Sequence, residues 1–237
     1  MTTRIDEISP DIYRISTAIP PDVMPGGFTF NQFLLVDEAP LLFHSGPRSM
    51  FPLVRGAVER VLGDVARLRY VAFSHIESDE CGSMDSWLAA APECEPVGST
   101  IAGMTSGDLF NRPIKVMADG AEISLGKKKV RWLDAPHLPH NWECGYMFES
   151  TTKTLLCGDL FTHGGHELPA LTESEVLSPS EALRAAMGGV AIERDNRKIL
   201  EKLARTEPQT LALMHGSSYR GDCSKLLLGL ADALAAW

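Results

Sequence analysis

Apolar and polar positions along the chain follow two different periods. Alternating or continuously apolar runs predict strands at "DIYRIS" (11–16), "FTFNQFLLVD" (28–37), "PLLFHSG" (40–46) and "LRYVAFSH" (68–75), with "PGG" and "DEAP" as turns. Helical spacing marks "SMFPLVRGAVERVLG" (49–63), which stops at Gly63, and Cys81–Ala91, which stops at Pro92. "EPVGS" (95–99) reads as a strand and "TIAGMTSGDLF" (100–110) as a short helix. "IKVMADGAEISLGKKKVRWLDAPH" (114–137) holds two or three strands, and "GYMFESTTKTLLCGDLF" (145–161) is a hairpin turning near "ESTTK". "SPSEALRAAMGG" (178–189) opens with a Ser-Pro-Ser-Glu cap signal, and "RDNRKILEKLART" (194–206) is a second helix. "QTLALMHGS" (209–217) is a buried strand, and "CSKLLLGLADALAAW" (223–237) is a closing amphipathic helix. Strands followed by helices, twice over, predict an α/β fold with two sheets face to face and helices outside each. No repeat or linker interrupts the pattern, so residues 1–237 read as one domain.

Composition narrows the classes of function. The formal net charge is −9, from 22 basic and 31 acidic residues, which argues against nucleic acid as a partner. The basic run Lys127–Lys128–Lys129 reads as a hairpin rim. No signal-peptide pattern opens the sequence, and no run approaches the ~20 apolar residues of a membrane span. The five cysteines, Cys81, Cys94, Cys144, Cys157 and Cys223, are scattered without a CxxC pair. Reduced thiols and a cytoplasmic location are therefore expected, with Cys144 and Cys157 in the core.

The unusual polar residues gather where apolar runs end. His75 ends "LRYVAFSH", His137 and His140 end "VRWLDAPHLPH", Asp159 ends "TKTLLCGD" and His215 ends "QTLALMH". Alternate strand positions share a face, so His75, Glu77 and Asp79 can aim at one point or at two neighbouring points. Carboxylates this close repel, and a bound cation removes the conflict. Taken singly, each residue is as well explained by a solvated loop, a helix cap or a turn. Five such coincidences, all built from the N and O donors that divalent metals prefer, favour a metal site. His163 and His166, in "FTHGGHEL", read as loop residues that a pocket could use.

The order His75-x-Glu77-x-Asp79, a His near residue 140, Gly158–Asp159 and His215–Gly216 resembles the metallo-β-lactamase fold superfamily, over roughly residues 25 to 225. Hydrolases of that superfamily carry His-x-His-x-Asp-His, where this chain has Glu77 and Glu80 in place of the second and last His. Glu77 resembles the di-iron domain of flavodiiron proteins and related oxygen-binding di-iron proteins. The resemblance implies an αββα sandwich of two mixed sheets. It also implies two metal ions: one held by His75, Glu77 and His140, one by Asp79 and His215, with Asp159 bridging. His137, which precedes Leu138–Pro139, competes with His140 for the middle place, and His140 has the expected spacing to Asp159. Glu80 stands where relatives have a His, so that place is filled by Glu80 or by water. His44-Ser45-Gly46 replaces the usual Asp-x-Gly behind the ligands.

Three imidazoles and three carboxylates favour iron, and a His-rich set would favour zinc. The resemblance then implies a non-haem di-iron protein that binds O2 or NO, as an oxygen-binding or sensing protein or as a reductase. A reductase would need electrons from a separate flavoprotein or rubredoxin-like donor, because no flavodoxin-like domain is seen in the sequence. A homodimer is expected by analogy. The competing expectation is a dinuclear hydrolase of an ester, thioester or lactam, with Asp79 as the catalytic residue orienting a metal-bound hydroxide.

Overall fold

The computed structural model describes residues 2–191, 193 and 195–236; Arg194 and Trp237, at the ends of two expected helices, lie outside these. The first half of the chain builds one mixed sheet, β1 (Thr2–Ser9), β2 (Ile12–Ile19), β3 (Phe28–Leu35), β4 (Leu41–Phe43), β5 (Tyr70–Ala72), β6 (Glu95–Ser99) and β7 (Lys115–Met117), in that order across the sheet. The first four strands pair antiparallel, and β4 to β7 pair parallel. Parallel neighbours need crossovers. The chain supplies α1 (Phe51–Leu62) before β5, the short α2 (Ser78–Cys81) and α3 (Met84–Ala90) before β6, and α4 (Thr100–Ser106) before β7.

The second half repeats the plan with β8 (Glu122–Ser124), β9 (Lys129–Asp134), β10 (Gly145–Glu149), β11 (Thr154–Leu156), β12 (Leu171–Thr172), α5 (Leu177–Met187), α6 (Asn196–Ala204), β13 (Thr210–Ala212), β14 (Ser218–Arg220) and α7 (Cys223–Ala235). Its sheet runs β12-β14-β13-β11-β10-β9-β8. Three apolar layers follow from the strand patterns. Ile12, Phe33, Phe43, Trp132, Met147 and Leu156 interdigitate between the sheets. Leu34, Leu42 and Val71 face the other way, onto Val54, Val58 and Trp87 of the helices beside the first sheet. Leu155, Leu211 and Tyr146 face Leu200, Leu203, Leu227 and Leu230 beside the second. The result is the αββα sandwich.

Several boundaries differ from the sequence-based expectation. The 114–137 stretch gives three strands, but β7 joins the first sheet while β8 and β9 begin the second. The helix expected over 81–91 is broken at Gly82–Ser83, because Ser83 and Trp87 are drawn to Ser45: Ser83 Oγ and Trp87 Nε1 donate to its carbonyl at 2.7 and 3.0 Å. Helix α5 starts at Leu177 without a side-chain cap at Val176, and Glu175 instead accepts from the Ser178 amide at 2.7 Å. Lys128 is buried rather than on a rim, its ammonium donating to the Pro10 carbonyl at 2.8 Å, while Lys127 and Lys129 are exposed. Strands β1, β12 and β14, at or beside sheet edges, were not legible as strands.

The topology decides where loops emerge. β9 and β11 each pair antiparallel with β10, and β13 pairs parallel with β11, so β9, β11 and β13 all end at one edge of the second sheet. The loops after these strands carry His140, Asp159 and His215, and the segment after β5 carries His75, Glu77 and Asp79.

Candidate metal centre

The structure brings all six sequence-predicted residues together, and adds Glu80. One ligand atom each from His75, Glu77, His140 and Asp159 lies within 4.8 Å of the others, and the same holds for Asp79, Glu80 and His215. His75 Nε2 and His140 Nε2 are 2.9 Å apart, and Glu77 Oε2 lies 3.0 Å from both. Asp159 joins the two groups. Its Oδ2 is 3.7 Å from His75 Nε2, and its Oδ1 is 3.3 Å from His215 Nε2, which is also 3.3 Å from Asp79 Oδ2. His137 is exposed and its amide is bound to the Asn141 carbonyl, so His140 occupies the middle place.

Each imidazole is fixed from behind. His215 Nδ1 donates to the Thr29 carbonyl at 2.7 Å and His140 Nδ1 to the Gly189 carbonyl at 2.9 Å. A carbonyl only accepts, so both rings carry a proton on Nδ1, and Nε2 is the nitrogen that faces inward toward the carboxylates. His75 Nδ1 meets Ser74 Oγ at 2.9 Å, Ser74 Oγ meets His44 Nε2 at 3.0 Å, and His44 Nδ1 meets Met214 Sδ at 3.0 Å. Complete burial pushes His44 down to about 3, so it is neutral. One donor direction satisfies the row: His75 to Ser74, Ser74 to His44, His44 to the sulfur. Here too Nε2 is left facing inward. Three rings anchored outward through Nδ1, with Nε2 turned toward shared carboxylates, is the arrangement of metal-ligating histidines, which exchange the inward proton for an ion.

Backbone chemistry holds the loops in place. Gly158 has φ +48°, and a Cβ there would come within 3.0 Å of Ser74 Oγ, so the turn before Asp159 needs glycine. Gly216 has φ +85°, and a Cβ would lie 2.3 Å from His163 Nε2. His163 is buried and accepts from the Ser217 amide at 3.0 Å, so it braces the His215 loop and does not line the cavity. Arg14 and Asn31 both donate to the Gly216 carbonyl. Glu143 accepts from the Ile76 amide at 2.9 Å and Asn141 donates to the Ile76 carbonyl, tying the His75 and His140 loops together.

The electrostatics favour a cation. Burial works against ionising Asp159, yet His215, His75 and His44 hold it well below the usual carboxylate range. Burial likewise opposes a charge on His215, but Asp159 and Asp79 outweigh it and push the ring up to about 10. Burial, then the charges of Asp159 and Asp79, drive Glu80 well above its ordinary value. Four acidic and three imidazole groups share one small volume, and Asp159 faces imidazoles of both groups. Their donor set suits a pair of divalent ions. Cys81, by contrast, is buried with its thiol pushed up to about 12, so it is a neutral core residue.

A cavity of about 180 Å³ opens over the centre, with Glu77, Asp79, His140, Asp159 and His215 on its floor and Phe28, Leu183 and Val190 among its walls.

The sequence profile of the ODP family beta lactamase matches residues 28–216. The chain is 30% identical over 165 residues to the putative diflavin flavoprotein A 1 of Thermosynechococcus vestitus, an alignment covering 66% of this chain and 28% of that protein. Among solved structures, a metal-soaked Flv1 flavodiiron core from Synechocystis sp. superposes with a TM-score of 0.86 at 20% identity, covering 98% of this chain and 61% of that one. The rubredoxin oxygen:oxidoreductase of Desulfovibrio gigas gives 0.83 at 19% identity, covering 97% and 62%. The chain thus spans about three fifths of those two structures and little more than a quarter of the curated relative.

Proposed function

The chain belongs to the ODP family beta lactamase group, and from that premise we propose that it is a non-haem di-iron protein that binds O2 or NO. His75, Glu77 and His140 would hold one ion, Asp79 and His215 the other, and Asp159 both. Bound there, two ferrous ions would supply open coordination positions for a diatomic ligand and the electrons to reduce it.

The observation that carries this reading over hydrolysis is the cavity. Pockets for drug-sized organic substrates measure about 300–1,000 Å³. The space above this centre is about 180 Å³, with walls that combine Phe28, Leu183 and Val190 with Thr162, Ser180 and Arg184; its size gives room for a diatomic molecule and falls short of a drug-sized ester or lactam. Glu77 in place of an imidazole supports the same reading, because a harder, more anionic site favours iron over zinc. The chain's own contribution is to anchor the three rings through Nδ1 and to bring carboxylates from the two halves of the chain to one place. For reduction beyond binding, we assign a flavin- or rubredoxin-like electron donor, on another chain or on an adjoining domain.

The test is metal analysis after anaerobic expression in iron-supplemented medium, followed by exposure to O2 and NO with and without a chemical reductant. About two irons per chain and a ligand-dependent absorption band are expected. Net consumption of O2 or NO in the presence of reductant would mark a reductase, and a reversible band without consumption would mark a binding protein. Two zincs and turnover of a chromogenic ester would overturn the proposal in favour of a hydrolase.

A further inference from the structure

We propose that Glu80 is itself a ligand at the second metal position, beside Asp79 and His215, and that it makes this position the harder, oxygen-rich half of the centre. This rests on the two-metal reading above. Glu80 is fully buried, at 0% exposure, yet no N–H or hydroxyl group among the described residues donates to either of its carboxylate oxygens, and its polar side-chain neighbour there is another acid, Asp79. One of those oxygens belongs to the group of ligand atoms, with Asp79 and His215, that lie within 4.8 Å of one another. The backbone fixes this placement. Ser45 and Gly46 amides donate to the Glu80 and Asp79 carbonyls at 2.7 and 3.1 Å, pinning the turn of α2 against the loop after β4.

The cationic and amide partners that usually hold a buried glutamate are missing here among the described residues, and without a cation Glu80 is left to keep a proton beside Asp79. No Lys or Arg pairs with it among the described residues. No amide or hydroxyl among the described residues donates to it, so it caps none of their helices, and its side chain is sealed from solvent. Burying an unpaired carboxylate costs several kcal/mol, and a cation is the partner that offsets it. Counting Glu80, four carboxylates (Glu77, Asp79, Glu80 and Asp159) balance the four positive charges of two divalent ions. The first position then has two imidazoles and one carboxylate, the second has one imidazole and two carboxylates, and Asp159 would reach both, since it belongs to the first group and its Oδ1 lies 3.3 Å from His215 Nε2. Carboxylate-rich sites suit Mn²⁺ and Fe²⁺, whereas imidazole-rich ones suit Zn²⁺.

The experiment titrates the metal-free full chain with Mn²⁺, followed by the electron paramagnetic resonance of the free ion, and with Zn²⁺, followed by calorimetry. Wild type, Glu80→Gln and Glu80→His are compared. Wild type should take up about two equivalents of Mn²⁺. Glu80→Gln should bind the first with unchanged affinity and the second at least about tenfold more weakly. Glu80→His should shift the second position's preference from Mn²⁺ toward Zn²⁺. Cooperative unfolding of each variant, read by circular dichroism, shows that it is folded. If Glu80→Gln is not, Glu80→His decides the matter, and an unchanged Mn²⁺/Zn²⁺ preference in it would overturn the proposal. Wild-type affinity for both equivalents in folded Glu80→Gln would also overturn it while leaving the two-metal reading intact. A wild-type chain that takes up neither ion would remove both.

Discussion

At the scale of single residues, the centre depends on groups that never face its interior. Ser74 stands between His44 and His75, 3.0 and 2.9 Å from their rings, and fixes which nitrogen of His75 is bare. Ser74→Ala should therefore weaken binding at the first metal position by about 10- to 100-fold, measured by competition with a chromophoric chelator, while the far-ultraviolet circular dichroism stays unchanged. An unaltered affinity would show that packing alone orients the ring. The ligand types were legible in the sequence because imidazoles and carboxylates are conspicuous after apolar runs. Their supports were not. The acceptors for His215 and His140 are the backbone carbonyls of Thr29 and Gly189, and a carbonyl has no residue-type signature. Spacing to Asp159 favours His140 while the Leu138–Pro139 that follows His137 keeps it in competition; the fold separates them by turning His137 out to solvent.

At the scale of elements, long amphipathic helices and apolar strands matched their patterns, and α1 buries Val54, Ala57, Val58 and Leu62 as its spacing requires. Local periodicity failed where a distant partner decides, as at Gly82–Ser83, which Ser45 captures, and at β1, whose polar, half-exposed sequence forms a strand only because β2 offers it a ladder. The β10–β11 hairpin near "ESTTK" was legible, but not its fastening. Glu149 accepts from the Thr151 and Thr152 amides at 2.8 Å each and from Thr152 Oγ1 at 2.6 Å. Burial opposes its ionisation, yet these hydrogen bonds outweigh burial and hold its carboxyl below the ordinary value. A depressed folded-state value means stability present above the unfolded value and lost as pH falls through the folded one. Glu149→Gln should thus cost about 1–2 kcal/mol at pH 7 in urea denaturation. The gap between variant and wild type should narrow below about pH 4. A gap that stays constant down to about pH 3 would show that charge plays no part in the turn.

At the scale of the molecule, the candidate centre draws its residues from both sheets: His75, Glu77 and Asp79 follow β5 of one, and His140, Asp159 and His215 follow β9, β11 and β13 of the other. An ion bound only by the folded state stabilises it, by about 2.7 kcal/mol at a concentration 100-fold above its dissociation constant. Stripping the metals with a chelator should lower the melting temperature by about 5–10 °C in differential scanning calorimetry, and no change would mean that the ions contribute nothing to holding the sheets together. The sandwich itself was legible because strand and helix patterns recur twice; that both halves deliver their loops to the same edge follows from the resemblance and from the ladders, not from periodicity. One further consequence comes from the rigid grip on the rings. His75 and His215 are anchored on the sandwich and nearly sealed off, with side-chain exposures of 0% and 6%, whereas His140 leans on the Gly189 carbonyl beyond α5 and is 32% exposed. The rim made by His140 and the half-exposed Glu77 is therefore the side from which a bound ion would trade places with those in solution.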